Sequence, residues 1–486
     1  MRVPFRRLAF LEVASLGLAV VYSAATVVFV LSRGSFYGDD FSGFLVSLTE
    51  PFASGLFIPV GGQVVPMARL LDSVFFHVVG LRYGAAVATL CAFHLIGIVY
   101  LYRTLNLLRP SAANAVLIAL YACYVHTWVQ LGWWIAGLER VPFVAFASLA
   151  LYHYVRYSET RARRHLAAVC VCDLLALGFY SKALLLPLCM VGLDVARFSA
   201  SDLRARLRTF AGPWLVAAVL LVVGATCSVL EHRAAGTLAT VLGGAPAGQV
   251  VEFTELGLVF FAHSLFGLSF GVAPHATWLL VALLWLSLVG YTSVRARRAW
   301  VAWLVLLALV LTNLVMIGVS SRVALFGPLL ALEVRYYWEL CFFSCVLLGV
   351  ILHRVRKDTA EGEWVRRTPG VAQGVVAAFC VLYAAVSYRQ FSSSALPDSA
   401  AMWKSRKFMD TLSADMKRLN SREAPVKLAD DNVPAYLIGM DLTFLRVSQL
   451  LFLMRERVAW VLPEKAEYRI AVDGHLVRIS RRPRRH

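Results

Sequence analysis

Eleven apolar stretches bounded by charge run through the first 388 residues, at about 8–32, 85–102, 112–128, 141–155, 166–180, 183–196, 210–230, 277–293, 299–317, 337–352 and 371–388. No water-soluble core absorbs that many. A bilayer does, because each helix satisfies its own backbone and presents side chains to lipid. Composition agrees: 59% of positions are hydrophobic and 16% charged, against roughly 45–50% apolar in a soluble domain. The sequence therefore predicts a polytopic all-α membrane protein with about eleven spans. The first run, Leu8 to Leu31, follows Arg2, Arg6 and Arg7. It is too long for a signal-peptide core and has no A-x-A-like site, so it is expected to be an uncleaved anchor.

An odd number of spans puts the termini on opposite faces. Segments assigned to the inner face carry 21 of the 47 Lys and Arg residues, against 8 in the opposite loops before residue 389. The positive-inside rule then places the N-terminus in the cytoplasm and the C-terminal tail outside the plasma membrane. The net charge of +18 is largely this bias, and no basic segment has the aromatic interleaving of a nucleic-acid surface. The nine cysteines all fall in expected spans, as small apolar groups rather than a disulfide or CxxC metal framework.

Two domains are expected, a transmembrane one over 1–388 and an extracytoplasmic α/β one over 389–486. In the second, Met402, Trp403, Met409, Leu412, Met416 and Leu419 share a helical face, and Asp473–Gly474 suits a two-residue hairpin turn. The loop after the first span holds two amphipathic stretches, "FSGFLVSLTEPFASGLF", broken by Pro51, and "PMARLLDSVFFHVVG". A later run, "VVEFTELGLVFFAHSLFGLSFG", is expected to be re-entrant or interfacial. Leu166 to Ala196 must leave and regain one face within 31 residues. Its arms are then short of the bilayer, at about 22 Å each, and Lys182 at the turn belongs in protein or a water-filled cavity.

Within "SRGSFYGDDFSG", Asp39 and Asp40 stand just beyond the first span. They read either as a catalytic pair or as a solvated turn in which Asp40 caps a helix from Ser42. Lys182 is a phosphate clamp or a snorkelling lysine. Arg335 is a clamp or a boundary anchor beside Tyr336, Tyr337 and Trp338. Arg322 is a weaker clamp candidate. Glu139 with Trp133 and Trp134, expected in a loop, combines the carboxylate and aromatic groups of a sugar site, although Trp also belongs to interfacial belts. His126, His232 and His263 lack ligand spacing, His94 reads as a packing residue, and Asp173 inside a span needs a partner.

Taken in order, these features resemble the GT-C superfamily, membrane glycosyltransferases that draw on polyprenyl-phosphate sugars. Besides the acidic pair, Val64 to Leu105 is similar to the family's Pro-led helix, G-L turn and following span. "WVQLGWWIAGLERVPFVAFASL" is similar to its second outer loop, "YSKALLLPL" to its lysine segment, and "LEVRYYWEL" to its late R-Y-Y element. The likeness covers roughly residues 8 to 353. Two positions depart from it: Gln63 stands where relatives often have His, and Ala183 where Glu usually follows the lysine. The tail is similar in its V-P segment and late hairpin to outer domains of actinobacterial envelope transferases.

The resemblance implies an inverting glycosyltransferase at the outer face. Its donor would be a polyprenyl-phosphate-linked sugar, and its acceptor a hydroxyl of an envelope glycan, lipid or protein. Asp39 would be the base. Asp40 would orient the acceptor or bind a divalent cation (Mg, Mn or Ca). Lys182, Arg335 and Arg322 would hold phosphate, and Glu139, Trp133, Trp134, Gln63 and Tyr336 would contact substrate. The competing classes are a lipid or polysaccharide transporter or flippase, which predicts internal repeats that the sequence lacks, and a non-catalytic lipid-binding protein of the same fold.

Overall fold

The computed structural model describes residues 10–58, 63–197, 245–267, 275–296, 299–358, 370–392, 397–420, 426–434, 445–454, 458–461 and 466–479, with isolated positions between them. Helix α1 (Phe10–Arg33) is followed by α2 (Asp39–Thr49), α3 (Phe52–Gly55), α4 (Pro66–Val79), α5 (Tyr83–Leu108), α6 (Ala112–Ala122), α7 (Thr127–Gly132), α8 (Trp134–Thr160), α9 (Arg163–Phe179) and α10 (Leu185–Arg197). Then come α11 (Ala247–Ser264), α12 (His275–Arg295), α13 (Ala299–Gly318), α14 (Ser321–Phe326), α15 (Trp338–Asp358), α16 (Gly370–Ser392), α17 (Pro397–Asn420) and α18 (Val447–Leu453). Ten of the eleven expected spans fall on these helices, and the eleventh, 210–230, lies largely outside the described residues. Among the described residues, six helices are long and apolar enough to cross a membrane.

Between α1 and α5 lie three shorter helices. Gly38, at φ +60°, makes the sharp turn that starts α2. Pro51 separates α2 from α3, and Pro66 opens α4 where its missing N–H goes unneeded. Helix α4 is turned opposite to a soluble amphipathic helix: its polar Arg69 and Asp72 are buried, while Val74 and Val78 are exposed. An apolar outer face of that kind suits a helix lying along lipid.

Helix α8 forms the buried centre, with α5 and α9 packed along it. Trp133, Trp134 and Glu139 are expected in a loop, yet α8 begins at Trp134 and carries Glu139 on its second turn. Pro142 suggests a break because it removes a backbone donor. The helix nonetheless runs through it from Trp134 to Thr160, with carboxylates from α2 and α4 bonded to its first turn. The short hairpin of α9 and α10 is joined by a 3-10 turn, Ser181–Leu184, which buries Lys182.

Four short strands, β1 (Val426–Ala429), β2 (Val458–Val461), β3 (Tyr468–Ile470) and β4 (Leu476–Arg478), form a sheet in the order β2-β1-β3-β4. β1 pairs parallel with β2 and β3, and β3 pairs antiparallel with β4. Gly474, at φ +90°, turns the β3–β4 hairpin. Helix α17 buries Met402, Phe408, Leu412, Met416 and Leu419.

Candidate active site

The two acids at the start of α2 have different surroundings. Asp40 is fully buried; its Oδ2 accepts the Tyr37 N–H at 3.1 Å and its Oδ1 accepts the Ile135 N–H at 2.8 Å. Ile135 lies in the first turn of α8, where amides lack partners within the helix and the dipole favours a carboxylate. Asp40 is thus a cap delivered from another helix, and neither a solvated turn nor a cap of its own helix. Burial pushes its carboxyl well above the usual range, against the two N–H bonds and alongside the nearby acids Asp39 and Asp72. Asp39 is half-buried at the head of α2, and its main-chain oxygen accepts the Ser42 hydroxyl at 2.7 Å.

A cation expected beside Asp40 does not fit. Both carboxylate oxygens already accept backbone amides. Among the described residues, no three His, Cys, Asp or Glu side chains gather as a cation site.

Asp72 of α4 reinforces the same corner. Its Oδ1 accepts the Trp134 indole N–H at 2.7 Å, and its Oδ2 lies 3.4 Å from the Ser47 hydroxyl. Burial raises its carboxyl to about 6, although the bonds from Trp134 and Ser47 and the charge of Arg69 favour the ionised form. Trp134 is therefore a structural post between α4 and α8.

Trp133, its neighbour, faces the other way. Its ring lies 5.0 Å from that of Tyr37, two residues before Asp39, and the Arg335 guanidinium sits 4.6 Å above it. From Arg335 the cluster continues inward. Arg335 lies 3.7 Å from Glu333 and 5.5 Å above the Tyr336 ring. The Tyr336 hydroxyl accepts from Arg322 at 3.2 Å, and Lys182 lies 5.6 Å over the Tyr336 ring. Lys182 donates to Glu339 at 2.5 Å. Glu339 stands 4.0 Å from Arg140, which is 3.9 Å from Glu139. Tyr180 receives Arg140 and Lys182 over its ring at 5.0 and 5.4 Å. Gln63 accepts the hydroxyl of Ser181, next to Lys182, at 2.5 Å. Glu139 is also within electrostatic reach of Arg322, Arg335 and Arg69.

The structure thus gathers Lys182, Arg335, Arg322, Glu139, Trp133, Tyr336 and Gln63 at one site. Tyr37, two residues before Asp39, meets this site at Trp133, while Asp40 and Trp134 stand behind it in the α2–α4–α8 corner. Sequence reasoning missed Arg140, Glu339, Asp72, Arg69 and Tyr180. Glu339 carried a usable signal, since a carboxylate inside an expected span requires a partner.

Lys182, Arg140, Arg322 and Arg335 face Glu139, Glu333 and Glu339 in a largely buried setting.

No family model matches the sequence, and no curated protein matches it. Among solved structures, the crystal structure of ArnT from Cupriavidus metallidurans bound to undecaprenyl phosphate is similar, with a TM-score of 0.51 at 16% identity, over 93% of this chain and 86% of that one. The helical bundle with its small strand-bearing C-terminal portion therefore shares the fold of that structure.

Proposed function

We propose that the protein is an inverting glycosyltransferase that moves a sugar from a polyprenyl-phosphate donor to a hydroxyl of an envelope acceptor at the extracytoplasmic face of the plasma membrane. The observation that carries this reading is the convergence of Lys182, Arg140, Arg322 and Arg335 on one buried site reached from the Asp39 turn through Trp133. A polyprenyl-phosphate sugar is a phosphodiester with one negative charge, a group that clustered Lys and Arg side chains can hold. The solved structure of similar fold, bound to undecaprenyl phosphate, supports a lipid of that class.

In the proposed reaction Asp39 takes the proton of the acceptor hydroxyl, and that oxygen attacks the anomeric carbon opposite the phosphate. The bond from the anomeric carbon to the phosphate oxygen breaks, and its electron pair stays on the phosphate. The released prenyl phosphate gains a second negative charge, which the guanidinium and ammonium groups stabilise as it develops. Inversion follows from the single displacement. Asp40 positions rather than reacts, since its oxygens are held by backbone amides. The 1–388 portion would form the catalytic membrane domain and 389–486 an outer domain.

The test is release of prenyl phosphate from synthetic prenyl-phosphate sugars by the protein in lipid nanodiscs. Asp39→Asn is expected to slow release by about 10²–10⁴-fold, and Lys182→Ala or Arg335→Ala by about 10²–10³-fold. Wild-type rates in Asp39→Asn, or no release by wild type from hexosyl or pentosyl donors, would overturn the reading.

A further inference from the structure

A groove of about 640 Å³ runs between α17 and the β3–β4 hairpin, lined by Lys404, Lys407, Phe408, Ala471, Val472 and Asp473. That volume is within the roughly 300–1,000 Å³ of small-molecule sites. The hairpin wall is held in place. Asp415 of α17 accepts the Leu476 N–H at 2.9 Å, and the His475 ring nitrogen lies 3.3 Å from the same oxygen. Gly474 sits so close to α17 that a Cβ there would lie 2.5 Å from the Phe408 main-chain oxygen.

Three charged groups of the lining lack partners. Lys404 and Lys407, one turn apart and both exposed, have no ion-pair or hydrogen-bond partner for their ammonium groups among the described residues. Asp473, at the hairpin tip, accepts the His475 N–H on Oδ1 at 3.2 Å and has no partner for Oδ2 among those residues.

Depth is set by α1, a helix long and apolar enough to span and ending at Arg33. Trp403 packs edge-on against Phe29 of that helix, and Arg33 lies 5.1 Å over its ring. Trp and Arg at the end of a span sit at the level of lipid headgroups. Lys404 follows Trp403 directly. Val472, on the opposite wall, is 72% exposed, an apolar side chain that the boundary between headgroups and acyl chains favours over water.

The lining selects an occupant by elimination. A glycan would leave Val472 in water, and a fatty-acid carboxylate would offer nothing to Asp473. A phosphatidylethanolamine headgroup answers every group: a phosphodiester for the two lysines, a primary ammonium with three donors for Asp473, and an apolar start of the acyl chains for Val472. We propose that this groove docks such a lipid and so seats the C-terminal portion on the membrane surface. The assignment rests on α1 as a span and on the groove itself, and it stands apart from the transferase reading.

Native mass spectrometry of the full chain, released from detergent with added phosphatidylethanolamine, phosphatidylglycerol or phosphatidylcholine, reads the binding of each lipid. The double variant Lys404→Ala, Lys407→Ala is expected to bind phosphatidylethanolamine about tenfold more weakly than wild type. Asp473→Asn, which keeps the Oδ1 bond to His475, weakens it about threefold and leaves phosphatidylcholine binding as it is. All three positions are exposed, so the variants keep the fold. Undiminished phosphatidylethanolamine binding in either variant overturns the proposal. So does phosphatidylglycerol that binds wild type as tightly and depends equally on the lysines, because Asp473 would then read no ammonium. Binding of polygalacturonate that the double variant loses, with lipid binding unchanged, would make the groove a glycan site instead.

Discussion

At the residue scale, the informative pair is Lys182 and Glu339. Both are buried, with 2.5 Å between Nζ and Oε1, and a charge left alone there is costly. Truncating one partner of a buried pair costs about 3–5 kcal/mol. Glu339→Gln is therefore expected to lower the thermal midpoint in detergent. The pair also has a functional meaning, because an incoming phosphate must compete with Glu339 for Lys182. Adding a short prenyl monophosphate should then raise the midpoint of Glu339→Gln by more than it raises that of wild type. An unchanged midpoint, or a larger ligand shift in wild type, would contradict this account. Lys182 is legible in part, since the short hairpin keeps it out of lipid, in protein or a water-filled cavity, without saying which. Its partner is not, because an acid within an apolar run signals that a cation exists without saying which one.

At the element scale, the corner where α2 and α4 meet the start of α8 depends on two acids, Asp40 on the Ile135 amide and Asp72 on the Trp134 indole. In the fold Asp72 holds its proton up to about pH 6, whereas an ordinary Asp releases it near 3.8. The folded form therefore binds more protons between these values, so stability falls as pH rises through that window and levels off above it. The contribution is on the order of 3 kcal/mol at most. Midpoints measured from pH 4 to 8 should show the decline in wild type, and Asp72→Asn should flatten part of it; Asp40, also raised by burial, acts in the same sense. An identical slope in both proteins would remove Asp72 from this role. The same corner explains where sequence reading stops. Spans, the Pro51 break and the Pro66 start are local signals of hydropathy and backbone chemistry, and they appear where expected. The start of α8 at Trp134, ahead of Glu139 and Arg140, is not a local signal, because carboxylates about 95 and 62 residues away bond to its first turn.

At the scale of the whole molecule, the C-terminal portion is tied to the chain that delivers Asp39. Arg406 of α17 donates to the main-chain oxygens of Leu31 and Gly34 at 3.0 and 3.1 Å, covering carbonyls that the end of α1 leaves without helical partners. Ser405 donates to the Phe36 oxygen at 2.6 Å, and the Gly38 N–H donates to the Leu437 oxygen at 3.0 Å. Trp403 packs edge-on against Phe29, with Arg33 over its ring at 5.1 Å. The amphipathic pattern of α17 is legible, but its attachment is not, since Arg406 resembles any solvated basic residue of a helix. These contacts tie the chain before the acidic turn to α17, besides the hold that Asp40 has on α8. A hydrogen bond from a charged donor contributes about 1.5–3 kcal/mol, and 1.4 kcal/mol is a tenfold change in a local opening equilibrium. Arg406→Ala should therefore raise amide exchange across Ser35 to Asp40 by about tenfold or more, while exchange in the middle of α8, buried far from the strap, stays unchanged. Equal protection of the Ser35–Asp40 amides in both proteins would mean that the membrane helices alone hold the turn, and the C-terminal portion would then have no part in placing Asp39.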